Sequence, residues 1–196
     1  MSLPFYLTLA RVVLSPVFMV LYLYAEAWGL SPYAIPYLLL GLLAICELSD
    51  VFDGFVARRH NKVTDLGKVL DPMADSLFRL TVFFSFTQGI VQLPLVLVLV
   101  FFLRDGIVNS LRTLAALRGK PLGARMSGKI KAVIQAAVAF FILIVAIPYT
   151  QGCLSLAAFQ QMSFYAALVA AIYTFVSGVE YIWANWKFIR TSLIKT

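Results

Sequence analysis

The chain reads as long apolar blocks separated by short polar breaks. A helix that crosses a bilayer needs roughly 20 mostly apolar residues. Six blocks reach that length: about Pro4–Ala27, Pro32–Asp53, Leu70–Gln88, Leu93–Leu114, Ile130–Tyr149 and Leu154–Trp183. The breaks carry turn-forming residues: Gly29 to Pro32, His60 to Thr64, Gly89 to Pro94, Gly119 to Gly123, and Pro148 to Gly152. The pattern predicts an all-α integral membrane protein with six spans, some of them running past the membrane as ordinary helix. No internal repeat, low-complexity segment or soluble domain interrupts it, so a single membrane domain over residues 1–196 is expected.

Composition strengthens this reading. Of the 196 residues, 62% are hydrophobic and 13% are charged, against about 25% charged in soluble domains. A soluble fold of this length could not hide so much apolar surface. Residues 1–25 lack the pattern of a removable signal peptide.

The cations split between the two sets of breaks. None falls between spans one and two, three and four, or five and six. The other side carries Arg58, Arg59, Lys62 and Lys68, then Arg112, Arg118, Lys120, Arg125, Lys129 and Lys131, then Lys187, Arg190 and Lys195. The positive-inside rule places that side, and both termini, in the cytoplasm. The net charge of +7 therefore reflects topology and anionic headgroups, not nucleic acid. Cys46 and Cys153 are isolated, and His60 is the only histidine, so neither a disulfide framework nor a His/Cys metal site is expected.

The acidic residues are distributed unevenly. Five of the nine lie within "DVFDGFVARRHNKVTDLGKVLDPMAD", residues 50–75. Asp50 and Asp53 share a helix face, as do Asp71 and Asp75. If spans two and three turn near Asn61–Lys62, all four carboxylates fall level, roughly 13–19 Å from the turn. Carboxylates gathered at a membrane edge repel one another and are costly to desolvate. Arg58 and Arg79 could offset part of the charge. Divalent cations are the stronger answer, and an all-oxygen set suits Mg²⁺ or Mn²⁺ rather than Zn²⁺. Two such ions are the device of phosphoryl-transfer sites. Gly54 and Ala57, on the face of Asp50 and Asp53, leave a groove for a bulky ligand, and Gly67 does so beside Asp71. Arg58 is placed to meet a diphosphate.

The spacing Asp50–x2–Asp53–Gly54–x2–Ala57–Arg58–x8–Gly67–x3–Asp71–x3–Asp75 resembles the signature of the CDP-alcohol phosphatidyltransferase family at all eight positions. The resemblance implies six membrane helices, a homodimer, and two Mg²⁺ or Mn²⁺ ions held by Asp50, Asp53, Asp71 and Asp75. Asp71 and Asp75 would be the catalytic pair, with Asp75 as general base. Gly54, Ala57, Arg58 and Gly67 would contact the CDP part of a CDP-lipid. The implied reaction displaces CMP at the lipid-side phosphorus by an acceptor hydroxyl. No covalent nucleophile is evident, which favours direct attack.

Further stretches, "LPFYLTLARVVLSP", "RDGIVNSLR" and "SGKIKAVIQ", resemble the bacterial branch that uses CDP-diacylglycerol and sn-glycerol 3-phosphate, over about residues 3–135. The Lys/Arg split puts the active site on the cytoplasmic side, and an inner-membrane location is expected. Ser76 stands where it usually has Lys, Leu3 where it usually has Asn, and Arg125 in a stretch that is usually less basic. A phosphorylated acceptor agrees with the cations Arg104, Arg112, Arg125, Lys129 and Lys131. Arg104 is the informative one, because it interrupts an apolar run; pairing with Asp105 is its competing reading. Inositol phosphate is the nearest alternative acceptor, with serine or choline below it because neither needs a cation cluster. A cation transporter would spread acids along a midplane pathway, and these are bunched beside one break.

Overall fold

The computed structural model is all α-helix, with no strand among the described residues. It describes residues 3–60, 65–119, 122–123, 125–186 and 188–190, with side chains described outside 3–8 and 50–72. Six long helices follow in order: α1 (Leu3–Tyr24), α2 (Ile35–His60), α3 (Asp65–Ser85), α4 (Leu95–Leu117), α5 (Met126–Thr150) and α6 (Leu156–Ala184). Each matches one predicted block. The largest difference lies at the second junction, where α2 continues past Asp53 to His60 and α3 begins at Asp65 rather than Leu70. Hydropathy marks where a helix meets lipid, whereas the backbone ladder continues through charged residues with good helix propensity. The turn predicted near Asn61–Lys62 lies outside the described residues.

The apolar blocks are helical because a segment without water partners must satisfy its N–H and C=O groups internally. Among the described residues, α5 and α6 are each long and apolar enough to cross a membrane, and residues 9–24 and 35–49 form shorter apolar helical runs. Helix α4 has the length, but Arg104, Asp105 and Arg112 interrupt it. Four of the predicted breaks carry a glycine in the left-handed region, among them Gly89 at φ +65° and Gly152 at φ +78°. At Gly89 a Cβ would also meet the Tyr22 ring at 3.2 Å.

Helix α1 packs on α2 and α3, α3 on α4, α4 on α6, and α5 on α2 and α6. An aromatic cluster sets the spacing of α1, α3 and α4. Phe18 meets Phe78 and Phe86 edge-on at 6.2 and 6.3 Å, and Phe83 meets Phe101 at 4.7 Å. Each such pair contributes about 0.5–1.5 kcal/mol beyond its buried area. Exposed Tyr24, Trp28, Tyr33 and Tyr37 mark one end of the bundle, and exposed Trp183 and Trp186 the other. Aromatic rings collect in this way at membrane–water boundaries. The charged groups gather at the Trp183 end.

Candidate active site

One ion pair registers α2 against α3. Glu47 lies one turn before Asp50, and Arg79 lies one turn after Asp75. The Arg79 guanidinium donates to both Glu47 oxygens at 3.3 Å. Counting along each helix from that pair, positions 50, 53, 71 and 75 fall roughly 4–12 Å toward the α2–α3 junction. The side chains of Asp50, Asp53, Gly54, Ala57, Arg58, Gly67 and Asp71 lie outside the described residues. Asp75 is described, and it pairs with Arg11 of α1. Arg11 is only 3% exposed. A guanidinium so placed within an apolar helix is costly unless it meets a negative charge, so this contact gives α1 a reason to pack beside the acidic end of α3.

Opposite Asp75 is a cavity of about 200 Å³. Helix α3 supplies Asp75, Ser76 and Arg79; α4 supplies Arg104, Val108, Asn109 and Arg112. Arg125, at the N-terminus of α5, joins Gly128, Lys129, Lys131 and Ala132 of that helix, and α6 adds Tyr181. The periodicity explains the α4 wall: positions 104, 108 and 112 follow one another at four-residue intervals along one face. All five cations read from the sequence as acceptor residues line this one space, and Asp75 shares it.

These cations differ in freedom. Lys131 is 3% exposed, and its ammonium donates to both oxygens of Asp105 at 2.8 Å. Asp105 is 2% exposed and also accepts from Arg104 at 3.0 Å. Arg104 therefore both pairs with Asp105 and lines the cavity. Its Nε donates to Ser177 Oγ at 3.2 Å. A methyl group added at Gly178 would come within 2.9 Å of Arg104 Cγ, and one at Gly128 within 3.3 Å of its Nη2. The two glycines thus make the room that the Arg104 side chain fills. Deeper in the bundle, Gln135 donates to Thr174 at 3.2 Å and ties α5 to α6. Arg125 is bonded to Glu180 at 2.9 Å at the exposed rim. Arg112 and Lys129 make no ion pair among the described residues.

A site of this shape can hold an anion against the basic wall and bring one of its groups toward Asp75. The model of the family described as CDP-alcohol phosphatidyltransferase matches residues 1–176. The chain belongs to the CDP-alcohol phosphatidyltransferase family. Among similar proteins is the CDP-diacylglycerol–glycerol-3-phosphate 3-phosphatidyltransferase of Bacillus subtilis (strain 168), 34% identical over 97% of this chain and 98% of that one. Proteins of the same name from Salmonella typhimurium (strain LT2) and Rickettsia bellii (strain RML369-C) are 33% and 37% identical. They cover 68% and 59% of this chain, and 72% and 60% of their own lengths.

This phosphatidyltransferase is thus a membrane-associated transferase of phospholipid biosynthesis. Three of its site residues escaped the sequence reading, Arg11 beside Asp75, Glu47 one turn before Asp50, and Tyr181; of Asp105, read as a partner of Arg104, the bond to Lys131 escaped it. A signal existed for Arg11, because it interrupts an apolar block as Arg104 does. Glu47 carries the same mark within its block, whereas Tyr181 carries none in a helix otherwise rich in apolar residues.

Proposed function

We propose that the protein transfers the phosphatidyl group of CDP-diacylglycerol to sn-glycerol 3-phosphate, giving phosphatidylglycerophosphate and CMP. The observation that carries this reading is the meeting of Arg104, Arg112, Arg125, Lys129 and Lys131, drawn from two helices, with Asp75 around one cavity. Arg112, Arg125 and Lys129 hold the acceptor phosphate by charge-assisted bonds. Lys131 and Arg104, anchored on Asp105, set the positive potential behind them. An acceptor held there presents a glycerol hydroxyl to Asp75. As that oxygen bonds to the lipid-side phosphorus, its proton passes to the Asp75 carboxylate, and the bond from that phosphorus to CMP breaks. Arg11 orients the same carboxylate from α1.

Gly54, Ala57, Arg58 and Gly67 are assigned to the CDP part of the donor, with Arg58 on the diphosphate. The donor set of Asp50, Asp53, Asp71 and Asp75 is all oxygen and fits two Mg²⁺ or Mn²⁺ ions. Such ions neutralise phosphate oxygens and stabilise attacking and leaving groups together.

Six spans, cytoplasmic termini and a cytoplasmic active site in the inner membrane are supported by the Lys/Arg split and by the aromatic ends of the bundle. Cysteines engineered near Gly29, Gly89 and Gly152 should label from outside the cell; labelling near Lys62 or Lys120 instead inverts the topology. A homodimer is carried over from the family resemblance, and the mass of the detergent-solubilised protein tests it.

The deciding assay combines purified protein, CDP-diacylglycerol, Mg²⁺ or Mn²⁺, and a panel of labelled acceptors. Glycerol 3-phosphate should gain lipid as CMP is released, with serine and choline inert. Lipid transfer to inositol phosphate alone would name a different acceptor, and no CMP release with any acceptor would sink the enzyme reading.

A further inference from the structure

Tyr181 stands on α6 with 3% of its surface exposed, and its hydroxyl is buried without a hydrogen-bond partner among the described residues. Leaving a buried hydroxyl unpaired is costly. Phenylalanine would keep nearly the same packing without that cost. The ring lies on the wall that also carries Arg112, Arg125 and Lys129. Helix geometry brings it there: Ser177 and Gly178, which seat Arg104, precede Tyr181 by four and three residues and share its face. A buried, unpartnered hydroxyl thus belongs to a residue on the wall of a cavity lined by cations. Cations attract an anion from any direction, whereas a phenol O–H adds a donor at one fixed place.

We propose that Tyr181 is a specificity-determining residue of the acceptor site, its hydroxyl donating a hydrogen bond to a phosphate oxygen of the acceptor. This deepens the reading of the cavity as the acceptor site and rests on it. Arg112, Arg125 and Lys129 supply the charge that draws a phosphomonoester in, and Tyr181 fixes its orientation from the α6 side. An uncharged alcohol offers no anionic oxygen to this hydroxyl, so Tyr181 favours phosphorylated acceptors over plain ones.

The test is Tyr181→Phe in the full-length protein, read in two ways. In the transfer assay the KM for glycerol 3-phosphate should rise about tenfold, the loss expected for one hydrogen bond to a charged group. The KM for CDP-diacylglycerol should stay within about twofold. The melting temperature should hold or rise, because the change removes an unpaired polar group. Separately, inorganic phosphate should raise the melting temperature of the parent protein, and the variant should need about tenfold more phosphate for the same shift.

If the parent releases no CMP with glycerol 3-phosphate, the proposed acceptor is wrong, while the phosphate titration still judges Tyr181. Equal phosphate affinity in the two proteins overturns the inference. So does a lowered melting temperature with both KM values raised alike, which would make Tyr181 a packing residue. Absence of phosphate binding by the parent, together with an unchanged KM in the variant, overturns it as well.

Discussion

Helices α2 and α3 carry four aspartates between positions 50 and 75. The wall facing them draws Arg104 and Arg112 from α4, Arg125, Lys129 and Lys131 from α5, and Tyr181 from α6. Both regions concentrate charge at the same end of the bundle, and they stabilise it differently. The acidic side meets Arg11 of α1 at Asp75, and its own Arg79 on α3 meets Glu47 on α2. The basic side buries a carboxylate of its own: Asp105 binds Lys131 and Arg104 together. The contrast separates two tasks. Under the proposed function, one side gathers negative charge to hold hard cations beside the donor's diphosphate. The other keeps part of its positive charge fixed behind the cavity and leaves Arg112 and Lys129 for a ligand.

The largest effect should come from the acidic side. Asp50→Asn, Asp53→Asn or Asp71→Asn should each lower turnover by several orders of magnitude, because each weakens a shared two-ion site. Near-normal turnover in any of them, with folding confirmed by melting, would falsify the two-ion assignment. Loss of turnover on adding a chelator, restored by Mg²⁺ or Mn²⁺, is the companion result.

The basic side should respond first through stability. Asp105→Asn leaves the buried Lys131 charge without its carboxylate, and breaking a buried pair in this way costs about 3–5 kcal/mol. Thermal melting should show a large drop. Adding Lys131→Met to the same protein removes the stranded charge and should recover most of the melting temperature. The KM for glycerol 3-phosphate should stay raised in the double variant, because the anchored potential behind the cavity is gone. If the double variant recovers both stability and KM, the Asp105–Lys131 pair only holds the helices together.

The two regions were not equally legible in the sequence. Asp50 and Asp53, and likewise Asp71 and Asp75, could be related because helix periodicity acts locally, within one helix each. All six helices were legible for a similar reason, since each needs only its own apolar block. The basic wall depends on how α4, α5 and α6 pack, and no local pattern carries that. Its cations were still found: Arg104 because a charge inside an apolar block is conspicuous, the others because they cluster at the ends of neighbouring blocks, on the side read as cytoplasmic. What could not be seen was their state. Lys131 and Lys129 look alike in the chain, yet one is locked on Asp105 and the other lies exposed on the cavity wall. Tyr181, one of nine tyrosines, is distinguished only by burial and by its unpartnered hydroxyl.

A smaller effect should sharpen the division between donor and acceptor. Arg112→Gln or Lys129→Gln should raise the KM for glycerol 3-phosphate about tenfold, while the KM for CDP-diacylglycerol changes little. Arg58→Gln should do the reverse, given its assignment to the diphosphate. Steady-state kinetics with each substrate varied in turn reads both. If all three variants raise both KM values equally, the cations form a membrane-surface patch and the two regions share one undivided site.

The smallest expected effect concerns the seat of Arg104. Gly178→Ala would place a methyl group 2.9 Å from Arg104 Cγ. That atom belongs to the stem of the side chain, so the arginine must shift as a whole or α6 must move away from α4. Either movement strains the bond from Arg104 to Ser177 at 3.2 Å and its bond to Asp105 at 3.0 Å. Gly128→Ala meets only Nη2, at 3.3 Å, and a guanidinium at the end of a flexible chain can yield by a few tenths of an ångström. The two variants add the same group to the same pocket from opposite sides. Gly178→Ala should therefore lower the melting temperature and raise the KM for glycerol 3-phosphate several-fold, as overpacking a tight contact costs about 1–3 kcal/mol. Gly128→Ala should stay within about twofold of the parent in both, since a small surface-side shift is worth about 0.5 kcal/mol or less. Equal effects from the two would mean that Arg104 is not held by its stem, and the anchored half of the basic wall would lose its distinction from the free half.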